Sequence, residues 1–324
     1  MTRSGFMVRR LLQGAATILV IALVNFLLVR AAPGDPAAVL AGEAGANDPA
    51  YVQQLRTQFG LDKPMLVQLG TYMRKVATLD LGYSYRQQRK VIDLIAERLP
   101  ATLLLTGAAF VLSLLAGVAL GAFGARKEGT WLEGLVSVVS MIFYATPLAW
   151  LAMMAVLLFS IQLEWLPAFG YRTVGGPDSG AAAAVDTARH LVLPAVTLSL
   201  FYMAVYARMT NTVMRNVARL DFVRTARAKG LGPRRILFAH VLRNALLPII
   251  TLAGLQAGAL VGGAVLIETV FAWPGVGRLM LDALLQRDYP VLLGVFVVTA
   301  SMAVLFNLIT DWVYTIADPR IELK

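Results

Sequence analysis

Six apolar runs, each about as long as a bilayer is thick, constrain this chain more than any other feature. They cover residues 11–29, 100–124, 132–159, 191–209, 245–270 and 291–316. A helix needs about 20 mostly apolar residues to cross the hydrocarbon core. Its backbone groups find no water there and must bond to one another, which makes the helix the expected form. Composition agrees: 58% of the residues are hydrophobic and 15% charged, against about a quarter charged in soluble domains. The expected fold class is an all-α polytopic membrane protein of six transmembrane helices.

The first run follows Arg3, Arg9 and Arg10. Residues 29–31 would pass as a signal-peptidase site, but the run exceeds the about 7–15 residues of a signal core. A retained span is expected. Arg126 and Lys127 fall on the same side as the N-terminal cations, and the excess of cations marks that side as cytoplasmic. Six spans return the C-terminus to it. The division expected is 1–30 as the cytoplasmic end with span one, 31–99 as an external loop, 100–316 as the remaining spans, and 317–324 as a cytoplasmic tail.

The external loop opens with the turn cluster Pro33-Gly34-Asp35-Pro36. Met65, Leu69, Tyr72, Val76 and Leu79 then recur at helical spacing, and Val91, Ile92, Ile95 and Leu99 repeat it. Short amphipathic helices lying on the outer surface are expected, either packed at the interface or docking an external partner. Residues 162–190 are rich in Gly and Ala, with turn material from Gly175 to Gly180 that includes Asp178. Trp273-Pro274-Gly275-Val276-Gly277 precedes a short apolar helix expected over 278–285, dipping back towards the membrane.

Between spans four and five lies a strongly basic stretch. Arg208, Arg215, Arg219, Arg224, Arg227, Lys229, Arg234, Arg235 and Arg243 face one acid, Asp221. It reads as two short helices joined by Gly230-Leu231-Gly232-Pro233, where glycine frees the backbone and proline suits a helix start. Such a segment binds lipid headgroups or a partner; several of Arg208, Arg215 and Arg219 fit the first role, holding span four at the inner headgroups.

Chemistry of its own is not legible in the chain. Residues 121–130 approach a phosphate-binding loop but lack its Lys-Ser/Thr ending. With no cysteine and only His190 and His240, neither thiol catalysis nor a His-rich metal site is expected. His190 reads as a solvated interfacial residue. Polar groups within spans are costly and therefore functional candidates. Ser140, Tyr144, Thr146, Ser199, Tyr202, Gln256, Ser301 and Asn307 are candidates to line a pathway; the competing reading of any hydroxyl is a helix–helix hydrogen bond. Glu268 and Asp311 lie near helix ends, where water or headgroups would reach them. No Lys or Arg sits near mid-span, which argues against an ion-coupled secondary transporter, the alternative class. Gly117 with Gly121, and Gly254 with Gly258 and Gly262, mark close helix contacts, within the bundle or against a second subunit.

Against these residues, the basic stretch resembles the cytoplasmic motif of ABC importer permeases. Ala226 and Gly230 match its general form, whereas Arg224 and Thr225 replace Glu and Ala, and only Leu242 matches its Ile-x-Leu-Pro ending. Arg-Thr-Ala-Arg-Ala-Lys-Gly-Leu from Arg224, with Arg-Asn-Ala-Leu-Leu-Pro from Arg243, is similar to the dipeptide/oligopeptide (B-type) permease version. Further resemblance comes from Pro33-Gly34-Asp35-Pro36, Asp80-Leu81-Gly82-x-Ser84 and Glu97-Arg98-Leu99-Pro100-Ala101-Thr102. Glu268-Thr269-Val270-Phe271 with the Trp273 run, Arg287-Asp288-Tyr289-Pro290 and Asp318-Pro319-Arg320 complete it.

The resemblance implies a type I ABC importer permease fold in a bacterial inner membrane. It implies a second permease, two ABC ATPase subunits that bind ATP and Mg, an extracytoplasmic substrate-binding protein, and no cofactor in this chain. Within a coupling segment over 208–244, Asp221, Arg224, Thr225, Ala226, Arg227, Ala228, Lys229 and Gly230 would seat on an ATPase. Nucleic acid is not an expected partner. Within the family, nickel complexes, glutathione and oligosaccharides are alternatives to peptides.

Overall fold

The computed structural model describes residues 3–31, 38, 49–58, 60–177 and 179–317. Pro33-Gly34-Asp35-Pro36, Asp178 and Asp318-Pro319-Arg320 lie outside the described residues, as does the side chain of Asp311. In order, the chain forms α1 (Arg3–Ala31), α2 (Pro49–Gln58), α3 (Met65–Ala77), β1 (Tyr83–Ser84), β2 (Arg89–Lys90), α4 (Val91–Arg126) and α5 (Trp131–Ala145). It continues through α6 (Leu148–Ala155), α7 (Gly180–Ala218), α8 (Asp221–Ala228), α9 (Pro233–Arg235), α10 (Arg243–Val270), α11 (Val276–Leu285) and α12 (Tyr289–Ala317). Wider π-type turns over Val156–Gln162 extend α6, and others over Ile236–Leu242 join α9 to α10. The two strands pair antiparallel, Tyr83 opposite Lys90 and Ser84 opposite Arg89.

Among the described residues, five helices are long and apolar enough to cross a membrane alone. The third span expected over 132–159 is the pair α5 and α6, broken by a bend of 102°. Pro147 explains the break. It cannot donate to the ladder, and it drives Thr146 into extended backbone at φ −77° and ψ 129°.

Two other expectations shift. The separate surface helix expected over 91–99 is the first part of α4, because Val91, Leu94 and Ile95 are buried and their packing carries the helix through. The Gly/Ala-rich connector ends early: α7 begins at Gly180, since the run Ala181–Ala184 has the highest helix propensity available. The helices expected over 63–79 and 278–285 are α3 and α11.

The chain divides into two compact units, Met1–Phe6 with Arg98–Arg278 and Leu305–Lys324, and Met7–Glu97 with Leu279–Val304. In the first, α7 is the central helix, packed by α5, α6 and α10. Leu105, Leu198, Tyr206, Ile267 and Trp273 are buried together in its core. The glycine pair of α4 serves this bundle. A Cβ on Gly117 would stand 2.6 Å from Tyr206 Cβ, and one on Gly121 2.6 Å from Thr210 Cβ, so only glycine lets α4 approach α7 this closely. Gly254 meets Thr310 of α12 in the same way, whereas Gly262 faces open space. In the second unit, Ala22, Val76 and Val297 form a small core, and Phe26 stacks on Tyr72 with centroids 5.8 Å apart.

Candidate functional site

The basic segment folds as a rod with two faces. Asp221 in the first turn of α8 and Arg227 in the last oppose the helix dipole with the favourable signs. Val223 and Ala226, three residues apart, fall on one face. Both are buried, against Met214, Ile236, Val241 and Ala245. Burial of the Val223 side chain alone stabilises this docking by roughly 1.5–3 kcal/mol. Asp221, Arg224, Thr225, Arg227, Ala228, Lys229 and Gly230 are exposed. Of the expected coupling residues, then, Ala226 is the one turned inward. Phe222, 41% exposed, joins the outward face; composition hid it, because one aromatic beside an acid carries no pattern.

Gly230 stops the rod. Its φ of +75° is the left-handed geometry that only glycine adopts freely. Its N–H donates to the Arg227 carbonyl at 2.9 Å and that of Leu231 to Ala226 at 3.3 Å, which together make a Schellman cap. Pro233 then opens the next helix. The second short helix expected here is corrected: Pro233 leads through the π-type turns directly into α10, with no cap between them.

Arg215 and Arg219, two of the candidates for headgroup contact, are paired with protein carboxylates. Arg215 donates to Glu133 at 2.6 Å and to Glu128 at 2.7 Å, and Arg219 donates to Glu128 at 2.8 Å. Glu133 also accepts the Gly129 N–H at 2.8 Å. The Arg219 guanidinium, joined by Arg215, holds the Glu128 carboxyl below the usual carboxylate range against a smaller opposing cost of desolvation. The network ties the end of α7 to the turn between α4 and α5. The Asp221–Arg224 pair at 3.3 Å is exposed on both sides and adds little.

The pathway candidates separate. Tyr144 stacks on Phe201 at 5.2 Å, and Phe201 meets Tyr202 edge-on at 5.2 Å, so α5 and α7 share an aromatic contact. Ser140 and Tyr202 are buried, whereas Tyr144 and Asn307 are exposed and Gln256 is half-buried. The hydroxyls of Thr146, Ser199 and Ser301 donate to Ile142, Val196 and Val297 within their own helices. For these three the donated bond thus stays within the helix rather than bridging two helices, as hydroxyls one turn from a carbonyl commonly do. Ser301 belongs to the second compact unit and the other seven candidates to the first.

A polar knot was not legible in advance. Glu268, expected within reach of water or headgroups, is fully buried. The Thr102 hydroxyl donates to its Oε1 at 2.6 Å, the Arg278 N–H donates to its Oε2 at 2.9 Å, and the Val276 N–H donates to Thr102 at 2.8 Å. Trp273 Nε1–H donates to the Ala101 carbonyl at 2.8 Å, and the indole meets Tyr171 edge-on at 4.8 Å. Gly275 and Gly277 are required here, since a Cβ on Gly275 would collide with the Glu268 carboxyl and one on Gly277 would crowd it. Two motifs 166 residues apart thus close on one carboxylate. A Glu ahead of a Trp-Pro-Gly-x-Gly run was the available signal. In the second unit, the Ser84 hydroxyl donates to the buried carboxylate of Asp288, pairing two more of the motifs. His190, expected in solvent, is also buried; its Nδ1 lies 2.9 Å from the Asp186 carbonyl one turn earlier.

Comparison with known proteins gives a consistent picture. Residues 117–323 match the model of the binding-protein-dependent transport system inner membrane component, and residues 1–106 match that of the N-terminal part of such membrane components. The chain is 37% identical over 331 residues to the dipeptide transport system permease protein DppB of Alkalihalophilus pseudofirmus, covering 98% of this chain and 99% of that one. It is 38% identical to the di/tripeptide transport system permease protein DppB of Pseudomonas aeruginosa, covering 98% of each. Identity to the Escherichia coli dipeptide transport system permease protein DppB is 37%, covering 98% and 99%. Among solved structures, the MetNI methionine ABC transporter in inward-facing conformations is similar in fold, with a TM-score of 0.57 at 18% identity over 70% of this chain and 97% of that one.

Proposed function

Because the chain belongs to the family of binding-protein-dependent transport system inner membrane components, we propose that it forms half of the membrane pathway of an ATP-driven peptide importer. The full-length similarity to dipeptide and di/tripeptide permeases supports peptides as the cargo. A second permease supplies the other half, two ATPase subunits bind ATP and Mg, and an extracytoplasmic binding protein delivers substrate. This chain hydrolyses nothing itself. Both termini lie in the cytoplasm, on the side of the basic segment 208–244, and the stretch 31–99 lies outside.

The observation that carries the coupling role is the division of α8 into two faces. Val223 and Ala226 bind it to the body of the protein, and Phe222, Arg224, Thr225, Arg227, Ala228 and Lys229 remain free to seat in a groove of an ATPase. A short rod, capped at Gly230 and anchored beneath, carries a push from ATP-driven closure into the spans, and rocking of the two permeases gives alternating access. Copurification of the ATPase subunits tests this. Arg224→Glu with Arg227→Glu is expected to abolish it and to uncouple ATP hydrolysis from transport in proteoliposomes. Arg219→Gln, which leaves the rod untouched, is expected to preserve it. Normal coupling in the double reversal would sink the assignment.

A further inference from the structure

The second compact unit encloses a cavity of about 820 Å³ that the coupling and pathway readings leave unused. It lies where the C-terminal end of α1 and the N-terminal end of α12 meet α3 and the β1–β2 ribbon, so it opens at one edge of the spanning region. Its volume is that of a site for a small molecule. Its lining has two chemically distinct parts. Phe26, Val76, Leu293 and Val297, from α1, α3 and α12, are apolar and belong to or flank spanning helices. Lys75 of α3, Lys90 of β2 and Arg287 of the turn between α11 and α12 line the other part.

The charges on that second part are unbalanced. Lys75, Lys90 and Arg287 are exposed and have no ion-pair partner among the described residues. Two acids, Asp80 and Asp288, line the cavity against six cations, and each already accepts bonds from neighbouring groups. Asp80 accepts the Gly82 N–H at 3.2 Å, and Asp288 accepts the Ser84 hydroxyl and the Val291 N–H. Tyr83, Tyr85 and Tyr289 stand in the same lining, and aromatic rings of this kind gather at headgroup depth. Arg287 holds a left-handed backbone, φ 56°, that a non-glycine residue adopts only when its surroundings demand it.

We propose that this cavity binds an anionic phospholipid of the adjoining leaflet, its phosphate held by Lys75, Lys90 and Arg287 and an acyl chain lying on Phe26, Leu293 and Val297. An acidic protein segment would satisfy the cations, but would need apolar side chains spaced to cover the floor as well. A free phosphate would leave that floor wet. A molecule with an anionic head and a hydrocarbon tail matches both parts at once, with the cations placed for the head where α1 and α12 leave the hydrocarbon region. Such a lipid would splint the ribbon and α3 to the membrane edge.

The full chain, delipidated in neutral detergent, tests this by native mass spectrometry. Phosphatidylglycerol and phosphatidylcholine of identical chains are added back separately. The expected result is at least tenfold preferential retention of phosphatidylglycerol. Each cation beside an anionic headgroup is worth about fivefold in binding, so Lys75→Gln with Lys90→Gln should weaken retention by about thirtyfold and Arg287→Gln, in the turn before α12, by about fivefold. All three positions are exposed and without ion pairs among the described residues, and equal thermal midpoints verify that the variants fold. Equal retention of both lipids, or undiminished retention in the variants, overturns the proposal. So does full displacement of phosphatidylglycerol by millimolar inorganic phosphate, which would mark a site for free anions. Loss of binding-protein association in the variants with lipid retention intact would also overturn it, and assign the cations to a protein partner.

Discussion

Glu268→Ala is expected to be the most damaging single substitution in the first compact unit outside its apolar core. The carboxylate has no exposure to water. Removing it leaves the Thr102 hydroxyl and the Arg278 N–H without acceptors, donors now held at 2.6 Å and 2.9 Å. Each unpaired buried group costs about 1–3 kcal/mol, so the loss should be about 2–6 kcal/mol before any term for the space left behind. Glu268→Gln keeps the volume but turns an NH2 towards one of two donors, and should cost about 1–3 kcal/mol. Thr102→Val is nearly isosteric and breaks the relay from Val276, with a similar cost. Because all these groups share one network, Glu268→Gln and Thr102→Val should couple by about 0.5–3 kcal/mol. The measurement is SDS-induced unfolding of the full chain in mixed micelles, followed by tryptophan fluorescence, to which buried Trp273 contributes. A loss below about 0.5 kcal/mol for Glu268→Ala, the range of ordinary surface changes, would refute the reasoning. Additivity of the other two substitutions would refute the network.

Gly230→Ala should cost only about 1 kcal/mol, since an added Cβ meets nothing within 4 Å and the penalty is the left-handed backbone alone. Gly230→Pro also deletes the N–H bonded to Arg227 and should lower transport-coupled ATP hydrolysis far more, as read in proteoliposomes. Val223→Asp places a charge where no water reaches, and should release α8 and abolish ATPase copurification while membrane insertion persists. The Glu128 carboxyl is held below its ordinary value when folded, so its contribution is complete above the unfolded value and is lost as pH falls through the folded one. The thermal midpoint difference between the natural chain and Glu128→Gln should therefore stay constant from pH 8 down to the ordinary carboxylate range and shrink only in stronger acid. Gly121→Leu should separate α4 from α7 at a cost of at least about 1–3 kcal/mol, visible as a lower unfolding midpoint.

Span count, the helical class, α3, α11 and the Gly230 break were legible because each depends on local physics: length, apolar periodicity or a backbone only glycine accepts. What failed was long-range. Residues 132–159 have the hydropathy of one span, yet the chain turns extended at Thr146 before Pro147, which hydropathy does not register; α4, α7 and α10 run on through Pro100, Pro194 and Pro248. Glu268 and His190 read as solvated because hydropathy near a helix end does not reveal what folds over that end. For Glu268 the cover is a loop whose glycines exist to let the carboxyl in. The carboxylate partners of Arg215 and Arg219 are hidden for the same reason: Glu128 and Glu133 lie more than 80 residues earlier, and charge counting along a segment does not see them.

The pairing of distant motifs argues for what the first compact unit is built to do. On the coupling reading, force enters at α8, eight residues pinned through Val223 to Met214 of α7. α7 itself is 39 residues long, about 58 Å at 1.5 Å per residue. At one end it is braced by Glu128 and Glu133, along its length α4 lies against it through Gly117 and Gly121, and α10 packs beside it. α10 then ends in Glu268, whose carboxylate captures the start of α11. Each joint is stiff for a separate reason: a charge network, a glycine seam, a buried carboxylate. Softening any one should leave binding of the ATPase intact and still reduce transport per ATP hydrolysed. A soft surface contact at α8 would produce the opposite pattern, lost binding with an unchanged transport-to-hydrolysis ratio in the assemblies that remain, and that distinction separates a mechanical linkage from a mere docking patch.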